Sequence, residues 1–369
     1  MEKLYCLGNG PAMSFTPYMS KMANTLNRLL IPVTFVTWNR LTAEESSLDD
    51  PENVTVLKLM STKETSNKFV LFFQYVIWMI KVFIFFMFKK DLKIICSRFE
   101  NVFPIWCLSK FKKISYIYCD RDNLHSTYSW PLFIKFLLKK LETEIARGAK
   151  FHLIPGISRN FTGYNNIRVI PNLPDEKTLV ESHSYFKSNR LSKLKSEYSK
   201  VVYINGWLKS TRGLLHVKNA ILSDKCTDVL FIIAGGIDND LSSIIKSRAN
   251  CLYLGQVSNV IALSYYYISD VVVALYDPSI DINKVAEPNK WWDCALTKTP
   301  FVSNHGITTL SGFKKYGNFV CIDYDDEQSL CRLLENDFEM LASISKHPTT
   351  IDVQTWDKQF EVLILEFLR

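Results

Sequence analysis

Short apolar runs recur along the chain, each followed by a polar or glycine-bearing turn and then by a stretch with helical spacing of its apolar positions. In the first half, residues 3–7, 33–38, 54–59, 92–96 and 114–119 read as strands, with 151–155 and 168–170 as short closing ones. Helices are expected over 16–30, 69–88, 102–111 and 131–147. The second half repeats the alternation. Strands fall at 201–205, 229–234, 251–254, 270–275, 301–303 and 320–323. Helices fall near 214–222 and 241–248, from 289 onward, and over 327–338 and 355–368. Strands alternating with helices predict an α/β class with two doubly wound parallel sheets. Residues 174–200 are polar and charged, so the expected domains are 1–175 and 201–354, with a linker over 176–200 and a cleft between the two.

A chain of 369 residues suits two cores rather than one. Its hydrophobic content of 47% with 22% charged residues is ordinary for a globular protein. The net charge of +7 fits an anionic partner without choosing among a nucleotide, a phospholipid surface and nucleic acid. No recognised nucleic-acid-binding motif appears, so a nucleic-acid partner is not expected. The nine Cys form no C-x-x-C pair and no zinc-spaced cluster; they read as reduced core residues, and no metal is expected. Residues 1–7 are too short an apolar run for a signal peptide.

Residues 69–88 change this picture, because the run has about the length of a membrane span. Gln74 and Lys81 interrupt it, and Lys81 sits where a spanning helix tolerates charge least. Three readings stand: a domain helix with a greasy face, a helix lying in the membrane interface, and a span. Lys135, Lys139, Lys140 and Arg147, with Lys110, Lys112 and Lys113, form either a cationic surface for anionic lipid or a solvated helix face.

Candidate chemistry gathers in the stretch 276–306, where a strand end, a polar loop, a helix start and a second strand follow one another. That order places a ligand at the carboxyl edge of a parallel sheet. The exposed NH groups of a helix start suit an anion such as a diphosphate. Asn289 and Asp293 are one helical turn apart and share a face. Gly8 and Gly10 follow the first strand, where glycines either let backbone approach a phosphate or simply form a turn. Asp120-Arg121-Asp122-Asn123 follows the strand 114–119, so Asp120 or Asp122 is either a base or charge stabiliser, or a loop cap.

Several strings in order resemble the family 4 retaining glycosyltransferases, whose GT-B fold has two Rossmann-like domains facing a central cleft. Tyr203 to Leu215, containing Gly206, Lys209 and Arg212, looks like the opening of the family's C-terminal domain. Phe231 to Gly236 resembles its apolar strand ending in glycine, here Gly235-Gly236. Leu252 to Val257, with Gln256 and Val257, is similar to the segment that meets the nucleotide base. Glu287-Pro288-Asn289-Lys290-Trp291-Trp292-Asp293 resembles the donor motif, Ile117 to Asp122 the Ile-Tyr-x-x-Arg-Asp string, and Val169 to Asn172 the linker entry. Thr355-Trp356 is like the start of the terminal helix, which in the family crosses back, so 355–369 would complete the N-terminal acceptor domain.

The resemblance implies transfer of a sugar, with retention, from a UDP- or GDP-type donor to a hydroxyl of a glycan acceptor. It implies no cofactor and no metal. Arg212 takes a conserved lysine's place, Lys209 assists, and Lys290 with the NH groups of 289–291 grips the diphosphate. Trp207 departs from the pattern, standing where many relatives carry arginine. Asp293 stands where a longer glutamate usually meets ribose, and Glu287 lies near the family's first glutamate. Asp122 is the implied acceptor-side base, with Asp120 second. Relatives with aromatic, basic N-terminal domains build bacterial O-antigen or capsule on polyprenyl diphosphate, implying a peripheral enzyme on the cytoplasmic face, held through 69–90 and 131–150. Two rivals remain: a nucleotide-sugar 2-epimerase of the same fold, and a non-catalytic nucleotide-sugar-binding subunit.

Overall fold

The computed structural model describes residues 3–9, 17–39, 54–63, 65–121, 123–127, 130–237, 243–245, 247–336 and 353–369. The chain divides into two units, Met1–Pro171 with Trp356–Arg369, and Asn172–Thr355.

The first unit holds seven strands: β1 (Lys3–Asn9), β2 (Val33–Asn39), β3 (Val54–Ser61), β4 (Leu92–Ser97), β5 (Ile114–Cys119), β6 (Phe151–Ile154) and β7 (Ile167–Val169). They order β3-β2-β1-β4-β5-β6-β7 in one sheet, with every pair parallel. Chain order reverses between β1 and β4, the switch point of a doubly wound sheet. Five helices connect these strands: α1 (Pro17–Arg28), α2 (Lys68–Met87), α3 (Phe99–Ser109), α4 (Leu124–Thr127) and α5 (Leu132–Gly148). One face of the sheet, including Leu7, Trp38, Ile94 and Tyr116, packs on α2, α3 and α5 through Trp78, Ile105 and Ile145. The terminal helix Trp356–Leu368 packs beside α1, with Trp356 edge-on to Tyr18 at 5.4 Å. Arg28 ties it by ion pairs to Asp357 and Glu361.

Helix α2 resolves part of the 69–88 question. Its inward stripe is Trp78, Val82 and Phe86, one residue per turn, and Trp78 Nε1 donates to buried Asn101 at 2.8 Å. Asn67 caps its start by accepting from the NH groups of Phe69 and Val70. Lys112 Nζ caps its end through the carbonyls of Phe86, Met87 and Lys89. Because α2 joins β3 to β4 of one sheet, crossing a bilayer would strip that stripe from the core and break both caps. It is a domain helix. Among the described residues it is also the one helix long and apolar enough to cross a membrane. Phe69, Phe72, Phe73, Ile77, Ile80 and Ile84 on its outer side are exposed. Lys112, counted above with the cationic surface, is instead a structural cap, and Arg147 pairs with Glu144.

The second unit holds β8 (Lys200–Asn205), β9 (Val229–Ala234), β10 (Cys251–Gly255), β11 (Val271–Val273), β12 (Phe301–Asn304) and β13 (Phe319–Ile322). They order β10-β9-β8-β11-β12-β13, again all parallel, with the switch point between β8 and β11. Its main helices are α6 (Glu176–Ser188), α7 (Leu214–Leu222), α8 (Asn259–Ser264), α9 (Asn289–Thr297) and α10 (Ser329–Asn336). The stretch 176–200, expected as a linker, instead contains α6 and belongs to this unit. Asp175 caps α6 by accepting from Thr178 NH at 2.8 Å, and Phe186 and His183 pack on Tyr267 at 5.7 and 5.2 Å. A few apolar contacts on one face suffice to dock an otherwise polar helix.

Candidate functional site

The carboxyl ends of β8 and β11 carry the densest set of expected site residues. Gly206 follows β8 with φ +84, and its NH donates to Ala234 at 2.8 Å. Gly235 follows β9 with φ +125, where a Cβ would collide with the Gly206 carbonyl. Both positions therefore require glycine. Beyond Gly206 the chain turns through Ser210–Arg212 and enters α7 at Gly213, φ +76, where a Cβ would meet Leu275 at 2.7 Å. Asp277 NH donates to Thr211 O at 3.1 Å, joining this turn to the loop after β11. Tyr276 is pinned from β12: Asn304 Oδ1 accepts from its NH at 2.8 Å, and Asn304 Nδ2 donates to its carbonyl at 2.9 Å.

On this frame the Arg212 guanidinium lies 4.1 Å from the Tyr276 ring centre. Lys290, in the first turn of α9, reaches the same place, since a Cβ on Gly206 would stand 3.6 Å from its Cε. Burial and then the Arg212 charge push the Lys290 ammonium down to about 8, partly offset by Cys294 and Asp293. The Arg212 charge acts on Lys290 more strongly than either Cys294 or Asp293, so the pair of cations suits an anion. Pro288 caps α9 without a side-chain hydrogen bond, leaving its start open to an anion. Burial holds the Tyr276 phenol at about 12, against the pull of Arg212, so it stays neutral.

Asp293 turns inward and accepts from Tyr266 OH at 3.2 Å. Its charge also raises the pKa of Tyr266 and Tyr203, after burial. Glu287 and Pro288 are half-buried at the entry to α9, and Asn289 is exposed. Lys209 is exposed with Nζ 4.6 Å from the Trp207 ring centre, so the described contacts place it on the indole rather than beside Arg212. Gly236 underlies that same indole. Gln256 and Val257 follow β10, exposed and half-buried respectively.

The first unit departs further from expectation. Asp122 and Gly10 lie outside the described residues. Gly8 is inside β1, paired with Thr37, and serves close packing, since a Cβ there would collide with Met19. Asp120 is not presented to an acceptor. It is 1% exposed, its NH donates to Leu153 O at 2.8 Å, and its carboxylate faces His152 Nε2 at 3.3 Å. Burial pushes its carboxyl up, with His152 opposing. Beside it, buried Glu142 of α5 holds the start of α4, accepting from Leu124 NH, His125 NH and His125 Nδ1, the last at 2.6 Å. Glu142, His152 and Asn304 were missed by sequence reasoning; His152 is a lone polar residue in an apolar run, whereas Glu142 and Asn304 sit among other polar residues and carry no such signal.

One group of potential metal ligands is present among the described residues: Cys226, Cys331 and Glu335 lie within 4.8 Å of one another. Sequence spacing does not show it, because Cys226 is remote from the other two. Glu335 is already engaged by Cys331 Sγ at 3.0 Å and Ser223 Oγ at 2.9 Å.

No protein-family model matches the sequence, and no curated protein matches it. Solved structures do. HepE of Anabaena, in complex with UDP and glucose, is 14% identical with a TM-score of 0.65, over 100% of this chain and 99% of that one. The fold is GT-B. A glycosyltransferase from Rickettsia africae matches at 12% identity and TM-score 0.63, over 100% of each chain. A putative UDP-N-acetylglucosamine 2-epimerase from Listeria monocytogenes matches at 9% and 0.64, over 100% of this chain and 96% of that one. At these identities the likeness carries the GT-B architecture alone.

Proposed function

We propose that this chain is a retaining glycosyltransferase that moves a sugar from a UDP- or GDP-type donor to a hydroxyl of a glycan acceptor linked to polyprenyl diphosphate. The setting is synthesis of cell-surface polysaccharide, O-antigen or capsule. The observation that carries the reading is the Arg212–Lys290 pair beside Gly206 at the β8/β11 switch point. When the sugar–phosphate bond breaks, negative charge grows on the departing diphosphate, and preformed cations and NH dipoles stabilise that charge more than the ground state. Arg212, on its Tyr276 shelf, supplies a charge that does not titrate. Lys290 supplies a second, and the open start of α9 adds NH donors. Asp122 is assigned to the acceptor side. No metal or other cofactor is invoked, because these groups already supply positive charge to the leaving group.

Localisation on the cytoplasmic face of the membrane belongs to the same proposal. The outer side of α2 and the start of α5, where Leu132, Phe133 and Phe136 are exposed, offer apolar insertion. Lys135, Lys139 and Lys140 on α5 add attraction to anionic headgroups.

The 2-epimerase reading keeps one support, the Listeria relative of the same fold. A thermal-shift screen of nucleoside diphosphates and their sugars tests donor binding, which both catalytic readings share. A ligand at a hundred times its Kd stabilises the native state by about 2.7 kcal/mol, a rise of several degrees. No rise with any UDP or GDP compound at millimolar concentration would sink the donor site.

A further inference from the structure

Trp207 is the large aromatic that the mechanism above leaves unused. Trp38, Trp78, Trp291 and Trp356 are fully buried, whereas Trp207 is 53% exposed. It follows Gly206 directly, so it borders the Arg212–Lys290 pair. Its benzo ring lies on Gly236, where a Cβ would stand 3.0 Å from Cε3 and 3.1 Å from Cδ2. Leu208 NH donates to Gly236 O at 2.9 Å, which fixes the segment carrying the indole to the end of β9. The end of β10 is joined to the same place, because Tyr253 OH donates to Gly235 O at 3.1 Å and Gly235 NH to Gly255 O at 2.7 Å. The indole thus stands on the β9–β10 side of the cation pair, away from β11.

We propose that Trp207 is the platform on which the nucleobase of the donor stacks. The inference rests on the nucleotide-donor reading and adds a residue to it. A nucleoside diphosphate has one planar aromatic ring, separated from its phosphates by the ribose. With the diphosphate between Arg212 and Lys290, that ring must leave to one side, and the exposed indole is on the β9–β10 side. Stacking on an indole tolerates any base, since every base presents a π-face. Lys209, now resting over the ring at 4.6 Å, is free to swing toward phosphate when a base takes its place.

The test compares calorimetric affinities of UDP, GDP and inorganic pyrophosphate for the full chain and its variants. Trp207→Ala and Trp207→Leu should each weaken the nucleoside diphosphate that binds wild type by about tenfold, leaving pyrophosphate unchanged. Trp207→Phe should lose less, because it keeps a ring. Trp207→Leu also keeps an apolar cover on Gly236, so it guards against misfolding. Equal losses for pyrophosphate, or unchanged affinity for the nucleoside diphosphate, would each overturn stacking on the base while leaving the donor site standing. If wild type binds no nucleoside diphosphate, the donor reading fails and the stacking with it.

Discussion

Lys290 is half-buried beside a permanent cation, and its titration is the most direct reporter of the proposed diphosphate site. Burial and Arg212 disfavour the ammonium, so in the free protein it releases its proton near pH 8. A bound diphosphate favours the ammonium and must raise that value. Binding therefore takes up a proton, and affinity falls as pH rises through about 8 toward the bound-state value. Calorimetry with UDP or GDP on either side of that pH should show the fall. Lys290→Met should bind weakly throughout and flatten the profile, whereas an unchanged slope in the variant would remove Lys290 from the site. Asp293, assigned to ribose by the resemblance, already has a partner in the protein. Its bond to Tyr266 holds the carboxylate against the protein, so reaching ribose requires it to share or exchange that partner.

At the scale of elements, α2 joins a core-facing stripe to an apolar outer side. Its inner stripe makes it part of a core, with Trp78 stacked on Trp38 at 6.1 Å and Phe86 edge-on to Tyr5 at 5.1 Å. Its outer side exposes phenylalanines that gain about 1.5–3 kcal/mol each when fully buried, an upper limit for insertion at an interface. Replacing Phe69, Phe72 and Phe73 together with Ser should reduce co-sedimentation with phosphatidylglycerol vesicles at least tenfold. The melting temperature should hardly change, since these side chains contribute nothing to the core. Undiminished sedimentation would remove α2 from the proposed membrane surface. Helix α6 teaches the opposite lesson about composition: its polar sequence looked like a connection, yet the Asp175 cap and contacts with Tyr267 make it a docked helix.

At the scale of the molecule, both sheets place two strands on one side of their first strand and the rest on the other, four in the seven-stranded sheet and three in the six-stranded one. The same architecture is found in HepE and in the putative 2-epimerase from Listeria, so the fold does not choose between group transfer and epimerisation. Incubation with the donor alone should leave the nucleotide sugar unchanged, with turnover appearing only when a lipid-linked glycan acceptor is added. Interconversion of UDP-N-acetylglucosamine without an acceptor would decide for the epimerase.

Much of the element order was legible from residue pattern, because burying one face of a strand or helix imposes a period on the chain. The runs at 114–119 and 229–234 coincide with β5 and β9, and the helix start at Asn289 is where α9 begins. Gly206 and Gly235 were legible for a similar local reason: a strand end with positive φ admits little else. Partnerships across the sheet were not legible. Asn304 clasping Tyr276, Lys290 arriving beside Arg212, and His152 covering Asp120 each join segments remote in sequence. Such contacts depend on strand register and helix rotation, which the period of a single element does not encode. By itself the sequence determined most of the strand and helix order and the glycines at 206 and 235; tertiary packing decided which charges meet and that the polar stretch at 176–188 is a docked helix.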